Sequence, residues 1–162
     1  MRSTRMVVSG SLIAVLACSH MVPAPLRPAA ETMAALQPSA RLYYDDGPAF
    51  RDSVRLIVRD VMTWPGIWAR ATSTQATPPP LPAIDFGRDM VVLVGAGHMS
   101  PGDQIHVDSA GEHQGNYSVI VRTILACHPF AADAYPLEVV RVPRTEKVVT
   151  FTERRDRGTD CN

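Results

Sequence analysis

The sequence predicts a small β-rich α+β domain, built as an antiparallel sheet or a sandwich with one short amphipathic helix. Short apolar runs separated by turn residues recur between residues 53 and 151. A single stretch, residues 61–71, instead has apolar residues at three- and four-residue spacing. Strands that follow one another with so little helix favour antiparallel pairing over repeated βαβ units.

The composition limits the class of protein. The chain has 162 residues, 46 % of them apolar, which is enough for one domain with extensions. Its 16 basic residues are matched by 16 acidic ones, so no positive excess is available to neutralise phosphates. We therefore expect no nucleic-acid partner. The same numbers exclude a multi-span membrane protein and a fully disordered chain.

The first 17 residues are predicted to be a secretory signal peptide. Two arginines precede an apolar run at 6–17, which is too short for a stable membrane anchor. The run ends in Val15-Leu16-Ala17-Cys18, which resembles a bacterial lipobox. By that resemblance Cys18 would be lipidated and become the new N-terminus, and Ser19 would not hold the protein at the inner membrane. The alternative is an ordinary secretory signal.

These features predict a lipoprotein of the bacterial cell envelope, anchored in the outer membrane and facing the periplasm. The alternative is a soluble periplasmic or secreted protein. Residues 18–40, with four prolines and many alanines, are interpreted as the lipidated cysteine and a semi-extended tether. Residues 41–162 then form a single β-rich domain.

Cys127 and Cys161 are predicted to form a disulfide bond. Lipidation of Cys18 removes one of three cysteines and leaves an even pair in an oxidising compartment. The bond would tie the polar tail at 153–160, which is otherwise expected to fray, to the end of a long strand.

The predicted elements follow from local patterns. The predicted strands span residues 53–60, 89–95, 104–109, 117–125, 136–142 and 147–151. The helix is expected to start at Thr63 as N-cap, with Pro65 in its first turn and the proline run 77–82 after its end. Trp64 and Trp68 are expected to pack on the sheet.

Two residue pairs beside these elements are also interpreted. Tyr43 and Tyr44, ahead of the first predicted strand, are read as a contact or a lid. Asp85 is assigned a hydrogen bond to the local backbone, and Phe86 is assigned to the core.

The sequence carries no local catalytic or metal-binding signature. Three histidines stand eight and seven residues apart, wider than compact zinc motifs, and are expected to be exposed: His98, His106 and His113. Three nearby carboxylates are expected to be solvated: Asp103, Asp108 and Glu112. Gly-x-Ser-x-Gly and His-Glu-x-x-His motifs are absent from the sequence. We expect no catalytic residues, no metal and no cofactor.

The loop at 97–104 is the candidate partner-binding surface, because binding residues often lie on loops held by a rigid sheet. The predicted contact residues are His98, Ser100, Gly102, Asp103 and Gln104. The expected partner is an envelope or surface protein.

The order of elements over residues 54–152 resembles the C-terminal domain family of PrcB-like proteins. The resemblance is carried by the tryptophan-containing helix, Asp85-Phe86 ahead of the strand at 90–95, the segment 134–143, and Val149-Thr150-Phe151. It implies a small extracytoplasmic domain, often on a lipoprotein; the namesake is a non-catalytic subunit that supports a surface protease. At 98–104 this sequence lacks the family's Thr-Gly-Gly-Tyr-like turn, so no specific partner is carried over.

The predicted function is therefore that of a lipid-anchored, non-catalytic envelope protein that binds or stabilises a protein partner, with a protease as one candidate. One alternative is a protease inhibitor that acts through a loop between strands. Others are a structural envelope protein without a discrete site and a hydrolase whose motif the sequence does not reveal.

Overall fold

The computed structural model describes residues 36–113, 115–128, 130–159 and 161, which form two four-stranded sheets and one short helix. In chain order the elements are β1 (Gln37–Pro38), β2 (Ala40–Asp45), β3 (Ser53–Val58), α1 (Trp64–Ala71), β4 (Asp89–Ala96), β5 (Gln104–His113), β6 (Asn116–Leu125), β7 (Leu137–Pro143) and β8 (Val149–Arg157). The predicted signal peptide, Cys18 and most of the predicted tether lie outside the described residues. Within the described part, no helix is long and apolar enough to cross a membrane.

The first sheet has the strand order β1-β5-β6-β8, and the second has the order β2-β7-β4-β3. The β-rich α+β prediction is confirmed. The expectation of purely antiparallel pairing is wrong for one pair, since β8 lies parallel to β6. The cause is the connection: the chain leaves β6, contributes β7 to the second sheet, and only then returns to the first.

The second sheet is the middle layer of the domain. Met90, Val92 and Val94 of β4 pack against the first sheet. The alternating residues Val91 and Leu93 join the core beneath α1 on the opposite face. Because both faces of β4 are covered, its sequence is a continuous apolar run without polar alternation.

The α1 tryptophans anchor the helix and the proline-rich loop together. Trp64 and Trp68 are only 2 % and 5 % exposed, which confirms that they pack in the core. Their indole N–H groups donate to the carbonyl oxygens of Pro82 and Pro79, each at 3.0 Å. The proline-rich loop that follows the helix thus satisfies the only polar atom of each of these two side chains.

α1 starts where predicted, with Thr63 at the N-cap position and Pro65 in the first turn, but the cap itself differs. Thr63 has helical backbone dihedrals and makes no side-chain capping bond. Instead its hydroxyl and backbone N–H both donate to the Asp60 carboxylate, and these bonds lower the pKa of that carboxyl. Val61, expected on the apolar helical face, is 64 % exposed because it precedes the helix.

The tyrosine pair belongs to a strand and forms no lid. Tyr43 lies in β2 and meets Trp68 edge-on, with 5.6 Å between the ring centroids. Its neighbour Tyr44 points to the other side, where its ring lies 5.7 Å from that of His106. The two side chains therefore pack in different layers.

Asp85 and Phe86 have the architectural roles predicted for them. Asp85 Oδ1 accepts a hydrogen bond from the backbone N–H of Gly87 at 2.9 Å. Phe86 is half-buried against the core beneath α1.

Strand pairing extends beyond the predicted limits. Gln37 already pairs with Ala110 of β5, ahead of the predicted domain start at Arg41. At its C-terminal end β5 continues past the predicted limit as far as His113, which pairs with Asn116 of β6. The polar tail does not fray at residue 153, because β8 continues beside β6 as far as Arg157. Local polarity concealed these extensions, since the stabilising partners are distant in sequence.

The buried carboxylate of Glu138 joins the two sheets. Glu138 lies on β7 of the second sheet and is 2 % exposed. Its Oε2 accepts the backbone N–H of Val107, on β5 of the first sheet, at 2.5 Å. The Val107 carbonyl accepts from the Ser39 hydroxyl, also at 2.5 Å. At this point the chain crosses from β1 to β2, so side chains replace the missing strand partner of β5.

Three further polar side chains surround this carboxylate. Arg41 Nε donates to Glu138 Oε1 at 2.5 Å, and Arg41 Nη2 lies 3.1 Å from His106 Nδ1. A guanidinium only donates, so Nδ1 is the acceptor and Nε2 of His106 donates to Gln104 Oε1 at 2.9 Å. Burial, and then nearby acidic groups that include Glu138, raise the pKa of Tyr44 to about 12.

A disulfide joins Cys127 to Cys161, 34 residues apart, just beyond β6 and β8. We expect it to contribute about 3–4 kcal/mol to the free energy of unfolding, because it restricts the unfolded chain. Urea unfolding of the oxidised protein should therefore have a higher midpoint than unfolding of a Cys127→Ala/Cys161→Ala variant. A Cys18→Ala variant serves as the control. Equal midpoints for the oxidised protein and the double variant would contradict this role.

Replacing Glu138 tests the link between the sheets. Glu138→Ala should cost about 2–4 kcal/mol, because the Val107 N–H loses its acceptor and a cavity remains. Glu138→Gln should cost less, about 1–2 kcal/mol, since the amide oxygen still accepts. The matched control is Glu146→Gln, at a side chain 76 % exposed, which should change stability by less than about 0.5 kcal/mol. Similar losses for both glutamine variants in denaturant titrations would refute the link.

Tyr117 should make stability depend on alkaline pH. Burial, with a smaller effect of Glu112, raises the pKa of its hydroxyl to about 12, and that hydroxyl donates to the Pro143 carbonyl at 2.8 Å. The unfolded chain ionises first, near pH 10, so the stabilisation is complete below that pH and is lost as pH rises toward 12. Melting temperatures between pH 8 and 11 should fall less steeply for Tyr117→Phe, whereas parallel curves would argue against this origin.

Candidate functional site

The candidate site lies at one end of the sandwich, called here the loop end. β4 ends at Ala96 and β5 begins at Gln104, while Leu125 of β6 pairs with Arg157 of β8. The loops at 97–103 and 126–136 and the end of β8 therefore come together.

The loop at 97–103 is held in one conformation by its backbone. Gly97 has φ +77°, and a Cβ there would lie 2.8 Å from the backbone nitrogen of Ser53, so a side chain cannot be accommodated. Met99 and Ala134 exchange two backbone hydrogen bonds, at 2.9 and 3.0 Å, which join this loop to the neighbouring one. The two loops are therefore held together at this point by backbone hydrogen bonds.

Asp103 and Ser100 stabilise the loop internally. Asp103 Oδ1 accepts the backbone N–H of Ala126 at 2.7 Å, and Oδ2 accepts the backbone N–H of Ser100 at 3.1 Å. Asp103 is half-buried and both its oxygens are engaged, so it was wrong to expect a solvated carboxylate. Of the five predicted contact residues, these two therefore position the others.

The other three predicted contact residues are exposed at the loop end: His98, Gly102 and Gln104. His98 Nε2 lies 2.8 Å from Asp133 Oδ1, and its ring contacts Tyr135 edge-on at 5.8 Å. Gly102 has φ +91°, which favours glycine. A partner could reach these residues without disturbing the core.

Phe130 is a further surface residue that the sequence reasoning did not identify. It is 66 % exposed and lines a cavity of about 490 Å³ together with Gly102, Gln104 and Arg157. Cys127 lines the same cavity, so the disulfide supports its wall. The only signal in the sequence was an aromatic residue three positions after Cys127, in the connection between β6 and β7.

A second cavity of about 540 Å³ opens between the edges of the two sheets. Its charged lining comes from Arg55 of β3, from His98, and from Glu153, Arg154 and Arg155 of β8. Arg55 Nε donates to Glu153 Oε1 at 2.8 Å across the opening. Three arginines around one glutamate make the cavity basic.

Two other predictions about polar residues need correction. The side chain of His106, on β5, is only 17 % exposed because it packs beside Glu138 of β7. Asp108 pairs with Arg122 at 3.0 Å, and Glu112 pairs with Lys147 at 2.6 Å. Asp108 is thus half-buried beside its partner, whereas Glu112 and His98 are exposed as expected. The side chain of His113 lies outside the described residues.

The described side chains provide ionic and hydrogen-bonding contacts at the loop end. In the described ranges, no three His, Cys, Asp or Glu side chains are grouped so that they could hold a metal ion. The His98–Asp133 pair is open to solvent, with side chains 63 % and 67 % exposed. The Glu138 cluster, by contrast, uses its polar atoms to hold the sheets together.

Comparisons with known proteins returned no match to any family model, curated protein or solved structure.

Proposed function

We propose that this chain is a lipid-anchored envelope protein whose β-sandwich binds a protein partner through the loop end. The observation that carries the proposal is the exposure of Phe130, which lines a cavity with Gln104 at the loop end. The bound partner would be another protein of the envelope or cell surface.

Rigidity favours this role because ordering flexible loops opposes association. The Met99–Ala134 bridge, the Asp103 bonds and the disulfide each restrain one part of the loop end. Contacts made by His98 or Gln104 would therefore incur little entropic penalty.

Phe130 has the character of an interface anchor. Aromatic side chains are enriched in protein–protein interfaces and contribute most when a partner excludes water from them. In the free protein this ring is 66 % exposed next to a cavity, and the neighbouring polar groups can form the rim. A partner surface would fit if it offered an apolar recess for the Phe130 ring and hydrogen-bond acceptors around that recess.

The anchoring part of the proposal is supported by the sequence. The lipobox-like Val15-Leu16-Ala17-Cys18 follows a short apolar run, and a proline-rich segment separates it from the first strand. The PrcB-like resemblance adds a surface protease complex as the partner class to examine first.

Photo-crosslinking in cells tests the proposal. A photoreactive amino acid placed at Phe130 or Gln104 of the tagged chain should capture the same envelope protein. The control position is Met62, 86 % exposed after β3 at the opposite end of the sandwich, where no capture is expected. Cys18→Ala should move the chain out of the membrane fraction and reduce capture.

A Phe130→Ala substitution gives a quantitative check. Capture from the photoreactive amino acid at position 104 should fall about 5- to 30-fold, as for a moderate hot-spot residue. The melting temperature should stay unchanged because the ring is exposed. Equal capture from positions 130, 104 and 62, or none from any of them, would contradict binding at the loop end.

A further inference from the structure

β8 is an edge strand with an unpaired outer side. It is the last strand of the first sheet, and within the described ranges it pairs only with β6. Alternate residues of such a strand direct backbone N–H and C=O groups away from the sheet, where an extended segment can pair with them. From residue 152 to residue 157 the strand is exposed throughout.

Residues 152–157 carry three arginines and two acidic residues, Glu153 and Asp156, so this edge has a small net positive charge. Within the described part of the chain, Arg154, Arg155 and Arg157 form no ion pair, whereas Glu153 is engaged by Arg55. Phe151, Glu153 and Arg155 share one face of β8 by the two-residue period of a strand. Because Phe151 packs on the core between the sheets, Arg155 faces the basic cavity.

The cavity beside the edge has room for side chains of an added strand. Its volume of about 540 Å³ lies between β3 and β8, and its basic lining includes Arg55, Arg154 and Arg155. A carboxylate entering it would meet guanidinium groups, which bind carboxylates strongly. His98 of the loop end lines the same cavity, so the edge and the proposed binding surface are continuous.

A second copy of this chain is the rival occupant of the edge. An antiparallel pair of β8 strands centred on Arg155 would set Glu153 opposite Arg157 and Arg154 opposite Asp156, but it would also bring two Arg155 side chains together. Glu153 already holds Arg55, so this pairing would compete with an existing ion pair. The arginine lining of the cavity, and not the net charge of the strand, favours an acidic segment at this edge.

We propose that the partner contributes an extended acidic segment, which adds to the first sheet as a strand beside β8 and directs a carboxylate toward Arg155. This inference depends on the proposed binding function and specifies the chemistry of the partner. The backbone of β8 would supply affinity, and the arginines would supply selectivity for acidic sequence.

Binding of synthetic peptides to the purified full chain tests this proposal. The probe is an end-blocked, fluorescein-labelled peptide of nine residues in which Glu and Val alternate. Matched peptides carry Lys in place of Glu, or N-methyl groups on alternate amides that block strand pairing. Fluorescence anisotropy should show saturable binding of the acidic peptide alone, and this binding should weaken with added salt. Amide exchange should slow in residues 152–157.

Charge reversal distinguishes the edge from the rest of the surface. Arg155→Glu should weaken binding of the acidic peptide about tenfold or more, since it replaces attraction with repulsion. The matched control is Arg88→Glu, an exposed arginine between α1 and β4, which should leave affinity unchanged.

Three results would overturn the inference: equal binding of the lysine or N-methylated peptide, no effect of Arg155→Glu, or a dimer that Arg155→Glu dissociates. Crosslinking from Phe130 in the Arg155→Glu background separates this inference from the proposed function. Capture that persists at full yield there would leave a binding protein whose partner does not use β8.

Discussion

The burial of one carboxylate constrains much of the architecture. A buried charge is strongly unfavourable unless other groups partner it, and Glu138 accepts hydrogen bonds from both sheets, from Arg41 on β2 and from the Val107 backbone on β5. Its bond to the Val107 backbone fixes the position of β5 along β7. Since β5 begins at Gln104, that contact also determines where the loop at 97–103 ends. The position of the candidate surface thus follows from a polar contact in the interior.

The same contact explains how the chain passes between the sheets. β1 pairs with β5 for only two residues before the chain crosses to become β2. Beyond that crossing, β5 would expose unpaired backbone groups, but Ser39 and Glu138 satisfy them. A two-residue strand is marginal alone. Here it is stabilised because the crossing segment and the buried carboxylate complete the same edge.

The loop end combines rigidity with exposure, which suits recognition. Its internal bonds engage Asp103 and the backbone of Met99, whereas Phe130 and His98 remain accessible. The basic edge of β8 extends this surface along one side of the sandwich. Together they form a polar region from which Phe130 projects. The charge of the edge also limits indiscriminate pairing with other strands.

Local patterns were sufficient for most elements. The continuous apolar run of β4 identified a strand buried on both faces, and the spacing of Trp64 and Trp68 identified the helix. The helix starts at the predicted position, with Thr63 as N-cap, but the Thr63 side chain bonds to Asp60 and not to the first turn. Among candidate contact residues, the sequence could not separate His98 from Asp103. Both are polar loop residues. Only the tertiary position of Ala126 decides that Asp103 accepts a backbone hydrogen bond inside the loop end, whereas His98 stays exposed.

The sequence by itself determined the β-rich class, the cysteine pairing and the loop that carries part of the candidate surface. These depend on local periodicity, turn residues and the number of cysteines. Only the tertiary structure decided that β8 runs parallel to β6, that Glu138 joins the sheets, and that Phe130 and Arg155 border open cavities. Each of these depends on residues brought together from distant parts of the chain, and contacts of that kind leave no mark on local hydrophobic patterning.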